Sequence, residues 1–141
     1  MVQLVKNNMA ERITKEELIM QFAELVAKRS TCARLHVGAV ITKKNMTNVK
    51  SYGYNGNYAG GPNTCDSNER GKCGCIHAEV NAVIKTVIDE TDVMFITDSP
   101  CKNCAKIIIN AGIKLLYYRN EYRSSDGIKL LKKAHIKVIR L

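Results

Sequence analysis

Two short motifs, His77-Ala78-Glu79 and Pro100-Cys101-Lys102-Asn103-Cys104, constrain what this 141-residue chain can fold into. One imidazole and two thiolates supply three ligands for Zn²⁺, so the fold must bring the two motifs together. A tetrahedral zinc ion with three protein ligands keeps one position open for water, which is the arrangement of a catalytic site. Zinc lowers the pKa of that water to about 7. Glu79 lies close enough to carry protons without binding the metal.

The two motifs together favour a catalytic zinc site over two simpler interpretations. A Cys-x-x-Cys pair alone could be a redox-active dithiol or one half of a structural zinc site. A redox dithiol, however, leaves His77 and Glu79 without a role. A histidine that is only structural would not predict a carboxylate two residues away.

Length and composition fit one globular domain with a substantial core, which we expect to span residues 1–141. No stretch approaches the roughly 18 apolar residues of a membrane span, and the first residues lack the apolar segment of a secretion signal. Six cysteines without such a signal indicate a reducing compartment. We therefore expect a cytoplasmic protein that has no membrane partner.

The net charge of +9 could indicate a surface that binds nucleic acid. The lysines and arginines are spread along the chain, and in the C-terminal half they alternate with apolar residues, as on a solvated face. The aromatic residues lie mostly in strand-like segments rather than in an array that could stack bases. The pattern thus favours a solvated, phosphate-attracting surface over a nucleic-acid platform.

Hydrophobic periodicity and turn residues predict an α/β chain with five strands. A helix rather than a tight turn separates the last two strands, so strands four and five should be parallel. We expect a three-layer α/β/α sandwich with a mixed five-stranded sheet, and a zinc site where two helix N-termini meet over strand ends. The predicted helices span 14 to about 30, 77–88, 101–112 and 125–134, and the predicted strands span 37–41, 47–54, 93–97, 113–118 and 136–141.

Further segments of the chain resemble the deoxycytidylate (dCMP) deaminases of the zinc-dependent cytidine deaminase superfamily. The two motifs are typical of nucleobase deaminases in general and do not choose among them. Gly53-Tyr54-Asn55-Gly56, Asn81 and the context of residues 99–106 favour the dCMP branch, and the resemblance covers nearly the whole chain from about Ser30. One departure is visible: the family often has a proline soon after this glycine, whereas here the next proline is Pro62. The similar segments are 29–41, 53–56, 77–82, 99–106 and 111–113, with Tyr118 and Tyr122.

The resemblance implies a cytidine-deaminase-like fold and a hydrolase acting on a cyclic amidine. The reaction would convert dCMP to dUMP and ammonia, and so supply pyrimidine deoxynucleotides for dTMP synthesis. His77, Cys101 and Cys104 would hold the catalytic Zn²⁺. Glu79 would take a proton from the zinc-activated water, deliver it to N3, and carry a second proton to the departing amino group.

The resemblance also suggests which residues contact the substrate. The backbone at Gly38 and Ala39 would contact the base edge, Asn55 the sugar, and Tyr122 would lie near the substrate. The partner of the 5′-phosphate is open. Its candidates are Arg123, Arg119 and Lys28, and plain surface charge is the simpler interpretation of each.

Four cysteines remain beyond the catalytic motif. Four thiols match a closed Cys₄ structural zinc site, which would hold the long polar loop 55–75 in place. Some dCMP deaminases have a ligand of a second zinc near the position of Cys32. Alternatively Cys32 is simply buried. Only one residue separates Cys73 from Cys75, so one of the two could lie outside the metal site, and His36 could then supply the fourth ligand. The four are Cys32, Cys65, Cys73 and Cys75.

The resemblance further implies a homo-oligomer, with a hexamer favoured, and allows a dCTP effector with Mg²⁺ acting near residues 53–56. Three alternative functions stay open: a deaminase of free nucleosides, a deaminase of a base in tRNA or single-stranded DNA, and an inactive zinc-binding or DNA-uptake-associated relative. A polynucleotide deaminase must admit a flipped base, and the extra aromatic residues and basic C-terminal helix that would line its channel are missing. Glu79 argues against an inactive relative.

Overall fold

The computed structural model describes residues 11–141. The first ten residues, on which the expectation about a secretion signal rests, lie outside the described residues. Within 11–141, no helix has the length and apolar character needed to cross a membrane. The helices are α1 Lys15–Ala27, α2 Ala78–Val83, α3 Lys102–Ala111 and α4 Asp126–Lys133, and the strands are β1 Gly38–Thr42, β2 Val49–Tyr54, β3 Val93–Asp98, β4 Leu115–Asn120 and β5 Lys137–Arg140.

The five strands form one mixed sheet in the order β2-β1-β3-β4-β5. Strand β1 is antiparallel to both of its neighbours, with Ala39 opposite Gly53 on one side and Ile96 on the other. Strands β3, β4 and β5 run parallel because helices connect them. The predictions of a mixed five-stranded sheet and of a parallel final pair are confirmed.

Helices cover both faces of the sheet, which confirms the three-layer sandwich. Strand residues alternate between the faces: Val40 and Phe95 pack against α1, whereas Ala39 and Ile96 pack against the side of α2, α3 and α4. The layers approach closely where glycine replaces a side chain. A Cβ atom at Gly38 would lie 2.0 Å from the carbonyl oxygen of Ala23 in α1.

The helix ends follow capping rules that the sequence makes visible. The hydroxyl of Thr14 accepts a hydrogen bond from the amide of Glu17 at 3.1 Å, as a capping box predicts. The carboxylate of Glu17 does not complete the box, because it pairs with Arg119 on β4. Helix α3 ends at Gly112, which adopts φ +94° in the left-handed region.

The prediction that the second helix reaches residue 88 is wrong, because α2 ends at Val83. The residues beyond it are mostly β-branched, and such residues lose side-chain freedom in a helix. Two side chains of β2 also bind the backbone there. The Ser51 hydroxyl donates to the carbonyl of Ala82 at 2.8 Å, and the Lys50 ammonium donates to the carbonyl of Val87 at 2.7 Å.

Candidate metal centre and active site

The two motifs meet at the N-termini of α2 and α3. His77 is the N-cap residue of α2, and Cys101 is the N-cap residue of α3. The Cys101 sulfur accepts a hydrogen bond from the amide of Cys104 at 3.4 Å, so both thiols lie on the first turn of α3. Strand β3 ends just before this turn, which places the group at the carboxyl edge of the parallel part of the sheet.

The three side chains have the spacing of ligands around one small cation. His77 Nδ1 lies 3.2 Å from Cys104 Sγ and 3.6 Å from Cys101 Sγ. All three ligand atoms are within 4.8 Å of one another. Tetrahedral zinc with Zn–N near 2.0 Å and Zn–S near 2.3 Å separates a nitrogen and a sulfur ligand by about 3.5 Å. The donor set therefore fits Zn²⁺.

The electrostatics of the two thiols also favour a bound cation. A hydrogen bond from Cys104, together with the His77 ring, holds the pKa of Cys101 at about 4. The pKa of Cys104 is raised, because the Cys101 sulfur and burial both disfavour a second thiolate. A divalent cation would offset this repulsion, since metal ligation requires both thiols to be deprotonated.

Glu79 and His77 differ in their exposure, although they lie only two residues apart in the sequence. Glu79 is only 4% exposed, and burial raises its pKa. His77 is exposed, because as the N-cap it keeps an extended backbone and precedes the buried face of the helix. The structure thus combines an accessible ligand group with a sheltered carboxyl group.

The other four cysteines, Cys32, Cys65, Cys73 and Cys75, also come together, and we call them the thiol cluster. Cys65 Sγ lies 3.8 Å from Cys32 Sγ and 3.7 Å from Cys75 Sγ. The sulfur atoms of Cys32, Cys73 and Cys75 lie within 4.8 Å of one another. Tetrahedral zinc with four sulfur ligands separates them by about 3.8 Å. Both closely spaced cysteines belong to the cluster, and His36 is not among the metal-ligating groups of residues 11–141.

The residues expected to contact a substrate lie in different settings. Ala39 is fully buried in β1, on the same face of the sheet as α2. Asn55 is engaged within the protein: its Oδ1 accepts from the amide of Val37 at 2.8 Å, and its Nδ2 donates to the carbonyl of Leu35 at 2.6 Å. The Arg123 guanidinium lies 5.4 Å from the centre of the Tyr122 ring.

Arg119 is engaged within the protein, which disfavours it as the phosphate ligand. Alternation along β4 turns its side chain toward α1, on the face of the sheet opposite α2. There its guanidinium binds Glu17 at 3.0 Å and Glu24 at 2.8 Å. Lys28 lies exposed at the C-terminal end of α1. Of the three phosphate candidates, Arg123 is the one held beside Tyr122.

Ser99 is a site residue whose role the sequence did not reveal. It is buried, and its hydroxyl accepts a hydrogen bond from the amide of Tyr122 at 2.7 Å. Its own amide donates to the carbonyl of Asn120 at 2.8 Å. Ser99 therefore joins the loop after β4 to the segment that leads to Cys101. The signal that could have indicated this role is a small polar residue directly before a proline at the end of a strand.

The chain matches a family model over residues 13–120, described as the cytidine and deoxycytidylate deaminase zinc-binding region. The protein belongs to this family. It is 37% identical over 128 residues to ComE operon protein 2 of Bacillus subtilis, a match that covers 81% of this chain and 64% of the relative. It is 32% identical over 137 residues to the deoxycytidylate deaminase of Saccharomyces cerevisiae, covering 87% of this chain and 43% of the relative. The chain thus spans less than two thirds of either relative.

A solved structure is similar over its whole length. The crystal structure of dCMP deaminase from the cyanophage S-TIM5, in complex with dCMP and dUMP, superimposes with a TM-score of 0.79 and 36% sequence identity. The match covers 92% of this chain and 100% of the phage chain. The resemblance to dCMP deaminases and the cytidine-deaminase-like fold expected from the sequence are confirmed.

Proposed function

We propose that this protein is a zinc-dependent hydrolase that converts dCMP to dUMP and ammonia. One observation carries the proposal: His77, Cys101 and Cys104 converge beside the buried Glu79. The chain that holds them is similar throughout to a phage dCMP deaminase solved with dCMP and dUMP. The reaction would contribute to nucleotide biosynthesis.

The proposed roles of the residues follow from their chemistry. A zinc ion, when bound, supplies a water molecule whose pKa is near 7. His77, Cys101 and Cys104 would hold the ion and leave one position open. The Glu79 carboxylate would accept one proton from the attacking water and pass it to N3 of the cytosine ring. It would then take the second proton of that water and pass it to the amino nitrogen, which departs as ammonia. Burial raises the pKa of Glu79, which suits a group that must both accept and release protons.

We assign the substrate contacts as part of the same proposal. The β1 backbone at Ala39 would face the base, while Tyr122 and Arg123 would face the nucleotide from the loop after β4. Asn55 has two amide hydrogens, and its Nδ2 uses one for the carbonyl of Leu35. The second hydrogen would be free to bind the sugar.

The thiol cluster would hold a second, structural zinc ion. Its sulfur–sulfur distances of 3.7 and 3.8 Å support this assignment. The measurement is metal stoichiometry, for which we expect two zinc ions per chain and one in the double variant Cys65→Ser/Cys73→Ser. One zinc ion per unmodified chain, with four freely titratable thiols, would reject the second centre.

The test of function compares three substrates in one experiment: dCMP, free deoxycytidine and a cytosine-containing oligonucleotide. We expect dUMP and ammonia from dCMP, and little turnover of the other two. Glu79→Ala protein loaded with zinc is the matched control, since it keeps the proposed ligands. Faster turnover of the nucleoside or of the oligonucleotide would show that dCMP is not the preferred substrate.

Further parts of the proposal rest on the family resemblance. We expect one deaminase domain that assembles as a homo-oligomer, with a hexamer favoured. Light scattering at the 15.7 kDa monomer mass would contradict this assembly. A dCTP effector with Mg²⁺ would act near residues 53–56.

The cysteines of residues 11–141 are all free thiols, which supports a reducing, cytoplasmic location.

A further inference from the structure

The thiol cluster and the catalytic group are joined by a very short piece of chain. Cys75 belongs to the cluster, and His77 follows it by two residues. Ile76 between them pairs with Gly56: the amide of Ile76 donates to the carbonyl of Gly56 at 2.8 Å, and the reverse hydrogen bond is 3.1 Å. The two residues before His77 are therefore both held: Cys75 by the thiol cluster and Ile76 by its hydrogen bonds to Gly56.

The thiol cluster is also connected to the segment that contains Asn55 and Gly56, through residues 30–32. The amide of Cys32 donates to the Ser30 hydroxyl at 3.2 Å, and that hydroxyl donates to the carbonyl of Asn55 at 2.8 Å. The amide of Thr31 donates to the same carbonyl at 3.3 Å. Three separate segments, 30–32, 55–56 and 75–77, thus meet around the four sulfur atoms.

Helix α2 cannot by itself hold His77 in place. The helix has six residues, and the histidine is its N-cap, with no side-chain hydrogen bond that caps the helix. So short a helix is stable only through its packing. The chain before it is a polar loop, and ordering a loop backbone costs conformational entropy for each residue fixed. The thiol cluster and the bridge between Gly56 and Ile76 are the features that order the approach to the histidine.

We propose that the metal-bound thiol cluster positions His77, and thereby strengthens metal binding at the His77, Cys101 and Cys104 centre. Cys65 and Cys75 are then positioning residues for the catalytic metal. The inference rests on the two metal centres assigned above, but it adds an energetic coupling between them. Such a coupling is reciprocal, so each ion should also strengthen binding of the other.

The direct test uses Cys65→Ser, which removes one sulfur while leaving Cys75 and His77 unchanged. Protein loaded with Co²⁺ reports each centre through its visible absorption, and Cys101→Ser protein gives the spectrum of the cluster alone. When the cluster is empty, we expect the His77 centre to bind Co²⁺ about tenfold more weakly in competition with a chelator, and its absorption to shift. Thr64→Ala, an exposed neighbour in the same loop, is the control and should change neither.

Two outcomes would overturn the coupling. One is a Cys65→Ser protein with an empty cluster whose remaining centre keeps its affinity and spectrum. If three thiols still retain the metal, the Cys65→Ser/Cys73→Ser variant takes its place. The second test uses the reciprocal effect: in Cys101→Ser protein, whose His77 centre is impaired, the thiol cluster should bind Co²⁺ about tenfold more weakly than in the unmodified protein, and an unchanged affinity would contradict the proposal. These readouts measure metal binding, so they stand apart from any failure to deaminate dCMP.

Discussion

Glu79 is a carboxyl group that the fold buries beside His77, Cys101 and Cys104. Its residue surface is only 4% exposed, and it follows the fully buried Ala78 in the first turn of α2. Burying a carboxyl group is costly, because the charged form loses its hydration. Burial raises the pKa of Glu79, so the protonated form is easier to reach than in an exposed carboxyl group, which suits a proton shuttle.

Replacing Glu79 with glutamine should abolish turnover without removing metal. The amide has nearly the same shape but cannot accept and release a proton, so we expect kcat to fall by about 10²–10⁴-fold or more. Steady-state kinetics on dCMP gives the rate, and elemental analysis gives the zinc content as the control. A metal-loaded Glu79→Gln protein with near-normal turnover would show that another group carries the protons.

Replacing Ser99 with alanine should affect substrate binding more than the chemical step. The amide of Tyr122 would lose its acceptor, so the loop that carries Arg123 would be less well placed. We expect KM for dCMP to rise severalfold while kcat changes little, together with a loss of about 1–3 kcal/mol of stability. Ser99→Thr keeps a hydroxyl acceptor and should restore KM. A fall in kcat alone would contradict this role.

Among the elements, α1 and β4 are joined by an ion-pair network that crosses a face of the sheet. Arg119 binds Glu17 and Glu24, which lie seven residues apart on one side of α1. The Arg119 guanidinium holds the pKa of Glu17 below its usual 4.5. These charges are partly exposed, so solvent screening limits what they contribute.

Arg119→Ala should therefore lower the free energy of unfolding by about 1 kcal/mol or less at pH 7. Because the folded pKa of Glu17 is lowered, this contribution is present above pH 4.5 and is lost as the pH falls through the folded pKa. Chemical denaturation at several pH values should show the difference between the two proteins shrinking below that pH. Lys72→Ala, which breaks a more exposed pair with Glu69, is the control and should have a smaller effect.

The contact between α1 and β1 should tolerate no added side chain. In Gly38→Ala, the new Cβ would lie 2.0 Å from a backbone oxygen of α1, so the helix must shift. We expect a loss of about 1–3 kcal/mol, as for other overpacked sites, measured by thermal or chemical unfolding. In Gly61→Ala, the three atoms nearest to the new Cβ belong to the ring of Tyr58, which is exposed and can move, so this variant should be nearly neutral. Equal stabilities of the two variants would refute the close approach.

These elements also show where sequence reasoning succeeds and where it stops. The caps at Thr14 and Gly112 and the alternation of apolar residues are local signals, and they place most strands and helices to within about two residues. The end of α2 depends on hydrogen bonds from β2, which are contacts between distant parts of the chain. The partners of Arg119 likewise depend on which face of β4 it occupies. The grouping of His77 with Cys101 and Cys104 was predictable because one metal dictates it, whereas the hydrogen bonds of Ser99 were not.

At the scale of the whole molecule, the two cysteine-containing groups should make stability depend on metal. A ligand that binds only the folded state stabilises it by about 4 kcal/mol when its free concentration is about 1,000 times Kd. We therefore expect chelation to lower the midpoint of thermal unfolding clearly, and added zinc to restore it. Glu79→Gln should show the same shift, since it keeps all the proposed ligands. An unchanged midpoint after complete metal removal would mean that the core alone sustains the fold.

The order of the ligands along the chain matters while the protein is being made. All four cysteines of the thiol cluster precede His77, and Cys101 and Cys104 come after it. Ribosomes add about 5–20 residues per second, N-terminus first. The four sulfur atoms of the cluster would therefore emerge from the ribosome, and could bind a metal, while the last two ligands are still inside it. Biosynthesis would then load the two centres in a set sequence, with the site for chemistry completed last.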